Sequence, residues 1–97
     1  MIEVRVYLVS YDISSPRRWR RVFKLLKRVG EHLQLSVFLC RLQPARMARL
    51  QARLAGLIDP AEDRLLVVEL GAPAAAAARI RGTGTERLLA PAQPVVI

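Results

Sequence analysis

The sequence is poor in the residue types that disulfides, zinc sites and membrane spans require. It has one cysteine, Cys40, and one histidine, His32, in 97 residues. These counts exclude an intrachain disulfide, a cysteine-based zinc site and a histidine cluster. No apolar run approaches the roughly 20 residues that cross a bilayer. Glu3 and Arg5 interrupt the apolar start of a signal peptide, so the expectation is a cytoplasmic protein with no membrane partner.

Acidic residues are scarce as well, with eight Asp and Glu against sixteen Lys and Arg, for a formal charge of +8. This excess predicts a polyanionic partner, with nucleic acid first and an acidic membrane surface second, and a basic but solvated surface is the alternative. The length suits one domain, residues 1–97. Because 53% of the residues are hydrophobic, either the core is rich or apolar surface is left for a partner.

What the sequence does contain is a clear order of strands and helices. A β-branched and aromatic strand at 2–13 is followed by a helix at 16–29, which Ser14, Ser15 and Pro16 start and Gly30 ends as a left-handed cap. One side of this helix is apolar and the other is basic. The remaining segments are one strand, or two bent near Ser36, at 31–42, a helix at 44–58, a strand at 63–70, a helical or loose segment at 72–80 and a short strand at 94–97.

This order predicts an α+β, ferredoxin-like fold, β-α-β-β-α-β with a short C-terminal strand. The core is expected at about 2–70, and 71–97 forms a tail. The strands are apolar on both faces, yet two helices cover only one face. A homodimer formed through the uncovered sheet faces satisfies this pattern.

Asp12 stands just ahead of the densest positive charge, and two interpretations remain open. It offsets Arg17 and Arg18, which the positive end of the helix dipole disfavours. Alternatively, Asp12 holds a divalent metal beside a phosphate bound at the helix start. One carboxylate makes a poor magnesium site, whereas two carboxylates related by a two-fold axis make a plausible one.

The other candidate side chains are given structural roles. Asp59, Glu62 and Asp63 are expected in a solvated loop. His32 is expected to be exposed or to contact phosphate, with general-base chemistry the less favoured reading. Cys40 and Trp19 are expected in the core. Tyr11 and Phe38 either fill the inter-subunit face or flank Asp12 and contact a nucleotide.

Two motifs carry a family resemblance. The segment VYLVSYDIS ends the first strand, and GEHLQLSVFLCRL follows the first helix. Together they resemble the small CRISPR-associated protein that forms the adaptation complex with the CRISPR integrase, over residues 4–70. The resemblance implies a ferredoxin-like homodimer, often with a C-terminal strand that crosses to the partner. It also implies a duplex-binding spacer in the integration complex, and metal-dependent nuclease activity on RNA or double-stranded DNA.

The resemblance also assigns residues. Asp12 corresponds to the proposed catalytic and metal ligand for Mg²⁺, with Mn²⁺ as a substitute, and Tyr11 to the tyrosine before it. Gln34 to Phe38 match the Gln-x-Ser-Val-Phe segment. His32 replaces a usual arginine and Leu39 a frequent acid, and both departures weaken the case for chemistry more than the case for scaffolding. The nucleic-acid-binding residues expected on the basic side of the helix are Arg17, Arg18, Arg20, Arg21, Lys24, Lys27 and Arg28.

Three functions follow from these observations. The first is a dimeric, duplex-binding subunit of CRISPR adaptation with magnesium-dependent phosphodiester hydrolysis at Asp12. The second is a stand-alone, toxin-like ribonuclease on the same fold. The third is a non-catalytic ferredoxin-like RNA binder, which normally needs aromatic side chains on an open sheet face.

Overall fold

A computed structural model describes residues 3–83, which form one four-stranded antiparallel sheet with three helices. The elements are β1 (Arg5–Asp12), α1 (Pro16–Val29), β2 (Glu31–Gln34), β3 (Val37–Leu42), α2 (Pro44–Leu57), β4 (Arg64–Gly71) and α3 (Pro73–Arg79). The strands lie in the order β2-β3-β1-β4. The ferredoxin-like β-α-β-β-α-β arrangement is therefore confirmed. The strand predicted at 94–97, with its proposed crossing to a partner, lies outside the described residues.

The helix α1 occupies the predicted residues, but its end differs from the prediction. At its start, the Ser15 hydroxyl accepts a hydrogen bond from the Arg18 amide, and Pro16 takes the first turn. Gly30 at its end is extended, with φ −144° and ψ −175°, so the left-handed cap is wrong. A Cβ at Gly30 would lie 2.8 Å from both the Cys40 Sγ and the Leu39 carbonyl oxygen. The glycine is needed because the helix end presses against β3.

Residues 31–42 form two strands, which settles one of the alternatives left open. The bend falls at Leu35 and Ser36, and Leu35 adopts a positive φ of 23°. The His32 Nε2 lies 2.7 Å from the Leu35 carbonyl oxygen and ties β2 to this turn. The single histidine therefore supports the hairpin.

One face of the sheet, here called the closed face, is covered by α1 and α2. Alternate residues of the strands point to one face, and helix residues spaced three and four apart meet them there. The side chains buried in this core are Tyr7, Val9, Tyr11, Val22, Leu25, Leu26, Phe38, Cys40, Leu42, Met47, Leu50 and Leu54. Complete burial of the Cys40 thiol raises its pKa to about 11 and confirms its role as a core residue.

The other face, here called the open face, is half covered by the chain itself. The helix α3 packs its buried Ala76 against Val6 and Leu39. The expectation that a second copy covers this whole face is wrong for the half under α3. The uncovered half carries Leu66 and Val68, which are 58% and 39% exposed. Isolated chains would leave this aliphatic patch in water.

Candidate functional site

Asp12 is the last residue of β1 and lies on the uncovered half of the open face. It is exposed and stands opposite Arg64 of β4 in the strand register. Two residues earlier, Ser10 stands opposite Leu66, so all four side chains share this face. Within residues 3–83, the Asp12 carboxylate forms no hydrogen bond or ion pair. Its oxygens are therefore accessible to a ligand.

Asp63, and not Asp12, supplies the negative charge beside Arg18 at the start of α1. The Asp63 side chain is fully buried, and its Oδ2 accepts a hydrogen bond from the Arg18 Nε at 2.7 Å. The backbone amides of Ser14 and Asp59 also donate to it, at 3.1 and 2.8 Å. Asp63 thus fastens the start of α1 to the loop before β4. The expectation that this residue lies in a solvated loop is wrong, as is the reading of Asp12 as the partner of Arg18.

This contact perturbs both charged groups. The Arg18 guanidinium and the donated amides hold the pKa of the Asp63 carboxyl well below its usual range, although burial acts in the opposite direction. The hydrogen bond from Arg18 to Asp63 raises the pKa of the guanidinium in turn. Glu62 adds a second ion pair to Arg18 at 3.0 Å. Arg18 is therefore already engaged by two carboxylates.

The other basic residues expected to bind nucleic acid remain on the surface of α1. Every one of them is exposed, and none forms an ion pair with another described residue. The set is Arg17, Arg20, Arg21, Lys24, Lys27 and Arg28. The structure thus offers six cations on this helix for phosphate, with Arg18 held apart from them.

The aromatic residues grouped with Asp12 lie on the closed face. Tyr11 and Phe38 are buried beneath α1, and their ring centroids are 6.3 Å apart. They neither flank Asp12 nor fill an inter-subunit face, because neighbouring residues of a strand point to opposite faces. Burial raises the pKa of Tyr11. Trp19 packs at the edge of this core and stacks on Phe23 at 4.9 Å, which confirms it as a core residue.

His32 is exposed, but its ring is fixed. It stacks on Phe38 at a centroid distance of 4.7 Å and meets the Phe23 ring edge-on at 5.1 Å. Because the ring lies against closed-face aromatic residues, it is separated from Asp12 by the sheet. This placement removes His32 as a general base for chemistry at Asp12 within one chain.

A metal ion would need more donor side chains than Asp12 has around it in the described part of one chain. Among residues 3–83, no group of three or more His, Cys, Asp and Glu side chains could hold a metal ion. Asp12 therefore supplies one carboxylate per chain, which makes a poor Mg²⁺ site by itself. In the same stretch, none of the helices has the length and apolar character needed to cross a bilayer.

These features define a small α+β protein with a basic first helix and an exposed carboxylate at the end of its first strand. The family model for the CRISPR associated protein Cas2 matches residues 5–77. The chain belongs to this family, which confirms the resemblance found in its motifs.

Individual relatives agree. The chain is 47% identical over 66 residues to a CRISPR-associated endoribonuclease Cas2 from Geobacter sulfurreducens, a match that covers 68% of this chain and 70% of the relative. A relative of similar name from Rhodospirillum rubrum is 48% identical over 65 residues, which is 67% of this chain and 64% of the relative. The crystal structure of Cas2 from Streptococcus pyogenes superposes with a TM-score of 0.72 at 32% identity, over 81% of this chain and 99% of that one.

Proposed function

We propose that the protein is a homodimeric, duplex-binding subunit of CRISPR adaptation that works beside the CRISPR integrase. We also propose that its paired Asp12 residues support metal-dependent phosphodiester hydrolysis. The observation that carries this proposal is the exposed Asp12 on the same uncovered half-face as Leu66 and Val68. Apolar surface and an accessible carboxylate on one face suit a contact between two copies.

The dimer follows from the aliphatic patch. Leu66 and Val68 alternate along β4 on the open face, and their burial against a second copy stabilises association by removing apolar area from water. A two-fold axis through this half-face presents each copy's Asp12 to the same interface. The dimer therefore supplies the second carboxylate that one chain lacks.

The paired Asp12 carboxylates would hold Mg²⁺, with Mn²⁺ as a substitute, since both ions prefer oxygen ligands. When bound, such an ion polarises a phosphoryl oxygen and makes water a better nucleophile. The chain itself binds the substrate through the exposed cations of α1, which hold the phosphates of the duplex. The names of the two bacterial relatives, both endoribonucleases, support hydrolysis.

The surface of α1 suits a duplex more than a particular sequence. Its six exposed cations can neutralise phosphates, and such contacts position a nucleic acid without reading its bases. The RNA-binding alternative is less suited, because Tyr7, Tyr11 and Phe38 lie on the closed face. The stand-alone ribonuclease differs from the favoured function because it would act without an integrase. Copurification of an integrase with the native protein would separate the two.

The dimer is tested by sedimentation velocity with and without a blunt duplex. We expect the parent to sediment as a dimer and Leu66→Lys to shift to monomer, because the charge would be buried in the interface. Leu35→Lys is the matched control, since Leu35 is 86% exposed at the hairpin turn. A parent chain that stays monomeric at micromolar concentration would contradict the proposal.

The chemistry is tested by Asp12→Ala in a magnesium-dependent cleavage assay. We expect cleavage to be lost while duplex affinity stays within about twofold, because Asp12 binds metal and the α1 cations bind phosphate. Glu3→Gln, which removes another exposed carboxylate, is the control. If Asp12→Ala cuts as fast as the parent, the assignment of the metal ligand is wrong.

A further inference from the structure

A groove runs between α1 and α2, away from the open face. It contains a cavity of about 570 Å³ that adjoins a second cavity of about 220 Å³. Leu25 and Arg53 line both cavities, so the two form one continuous surface. Neither the proposed dimer nor the site at Asp12 uses this surface.

The rim of the groove is cationic. Seven basic side chains line the two cavities, and no acidic side chain does: Arg21, Lys24, Lys27, Arg28, Arg46, Arg49 and Arg53. Within residues 3–83, none of the seven is in an ion pair, whereas Arg5, Arg18 and Arg41 all are. The α2 arginines therefore extend the basic surface of α1 across the groove.

The floor of the groove is apolar. Leu25 and Leu57 line the larger cavity, and Val29, Leu42 and Leu50 line the smaller one. Leu57 is half-buried, so part of its surface is available to a ligand. A ligand that matches this groove must carry negative charge at its edges and apolar groups along its centre.

We propose that the groove binds an acidic amphipathic segment of a partner protein. Carboxylates of the segment would pair with the rim, and its apolar side chains would pack on Leu25 and Leu57. A phosphate backbone would satisfy the rim but offers no aliphatic group for the floor. The lining residues cover 21–29 of α1 and 46–57 of α2, which span about 12–17 Å at 1.5 Å per residue and suit a helical segment of two to three turns.

This binding surface does not depend on the proposed dimer or on the metal site, although Arg21, Lys24, Lys27 and Arg28 of its rim also belong to the α1 surface proposed to bind the duplex. The groove is formed by the helices of the closed face, and Asp12 lies on the opposite side of the sheet. A second copy on the open face and an acidic segment in the groove can therefore bind at the same time. Loss of the dimer or of cleavage would leave this inference standing.

The probe is a fluorescent 14-residue peptide with a leucine stripe flanked by glutamates. A matched peptide replaces every leucine by glutamine and keeps the charge. We expect the leucine peptide to bind the parent at least about tenfold more tightly, as measured by anisotropy at physiological salt. Equal affinity for both peptides would mean that charge alone attracts them and would overturn the proposal.

Two variants locate the site. Arg53→Glu should weaken the leucine peptide about tenfold, while Arg81→Glu, the same charge reversal on an exposed residue outside the groove, should change it less than twofold. Leu57→Gln should weaken the leucine peptide and leave blunt-duplex binding unchanged. Circular dichroism checks that each variant is folded. If Arg53→Glu weakens the duplex but not the peptide, the groove is a nucleic-acid surface and the proposal fails.

Discussion

Two aspartates at one end of the sheet show how differently this chain uses its few carboxylates. Asp12 is the last residue of β1 and stands opposite Arg64, the first residue of β4. Asp63 directly precedes Arg64 in the chain. Asp63 is buried and bonded to Arg18 and two backbone amides, whereas Asp12 is exposed and, among the described residues, unbonded. One carboxylate stabilises the fold and the other is available to bind a ligand. Proximity to arginines in the sequence did not distinguish them.

The largest effect that separates the two aspartates is on thermal stability. Asp63→Asn leaves Arg18 without its buried partner, so we expect the Tm to fall by roughly 5–10 °C. Asp12→Asn removes a solvated charge and should change the Tm by less than about 2 °C. Thermal unfolding followed by circular dichroism measures both. Equal Tm values for the two variants would refute the structural role of Asp63.

The free energy of unfolding at low pH should also distinguish the buried Asp63 from the exposed Asp12. The pKa of Asp63 is depressed in the folded protein, so its contribution is fully present above the unfolded-state value of about 3.9 and is lost as the pH falls through the folded value. We therefore expect the gap between the parent and Asp63→Asn to be constant from pH 7 to 5 and to narrow below about pH 4. Urea unfolding at each pH measures the gap. A gap that stays constant to pH 2 would assign the effect to packing.

The contact between Asp63 and Arg18 also shows what the sequence could not predict. Hydrophobic spacing and the start and end signals predicted α1 at the observed residues, because these signals are local. Periodicity did not decide between one strand and two at 31–42. The ion pair joins residues 45 positions apart, and no local pattern specifies which carboxylate a fold brings to a helix start. The left-handed end expected at Gly30 failed for the same reason, because the cause is a contact with β3. Asp12 was predicted as a ligand-binding residue from its place at a strand end and from a family resemblance, and this role stays a prediction.

A smaller effect on the free energy of unfolding is expected where the end of α1 packs against β3. Gly30→Ala would place a methyl group 2.8 Å from the Leu39 carbonyl oxygen, and we expect a loss of about 1–3 kcal/mol in the free energy of unfolding. Gly56→Ala is the matched control, because no atom lies within 4 Å of its added methyl group. In α2 that change should stabilise by about 0.5–1 kcal/mol. Urea unfolding of both variants should show opposite signs, and a neutral Gly30→Ala would mean that the helix end shifts freely.

The smallest expected effect is on the reaction rate of the Cys40 thiol, which measures access to the core under the closed face and leaves the fold unchanged. Cys40 is fully buried and its pKa is raised to about 11, so at pH 8 its thiol should react with a disulfide reagent only as fast as the protein opens. Leu35→Cys adds an exposed thiol at the hairpin turn, which should react within the mixing time. Absorbance should therefore show one thiol reacting at once and one reacting slowly, and addition of urea should release the slow one. Equal rates for both thiols would show that the core under the closed face is as accessible to the reagent as the hairpin turn.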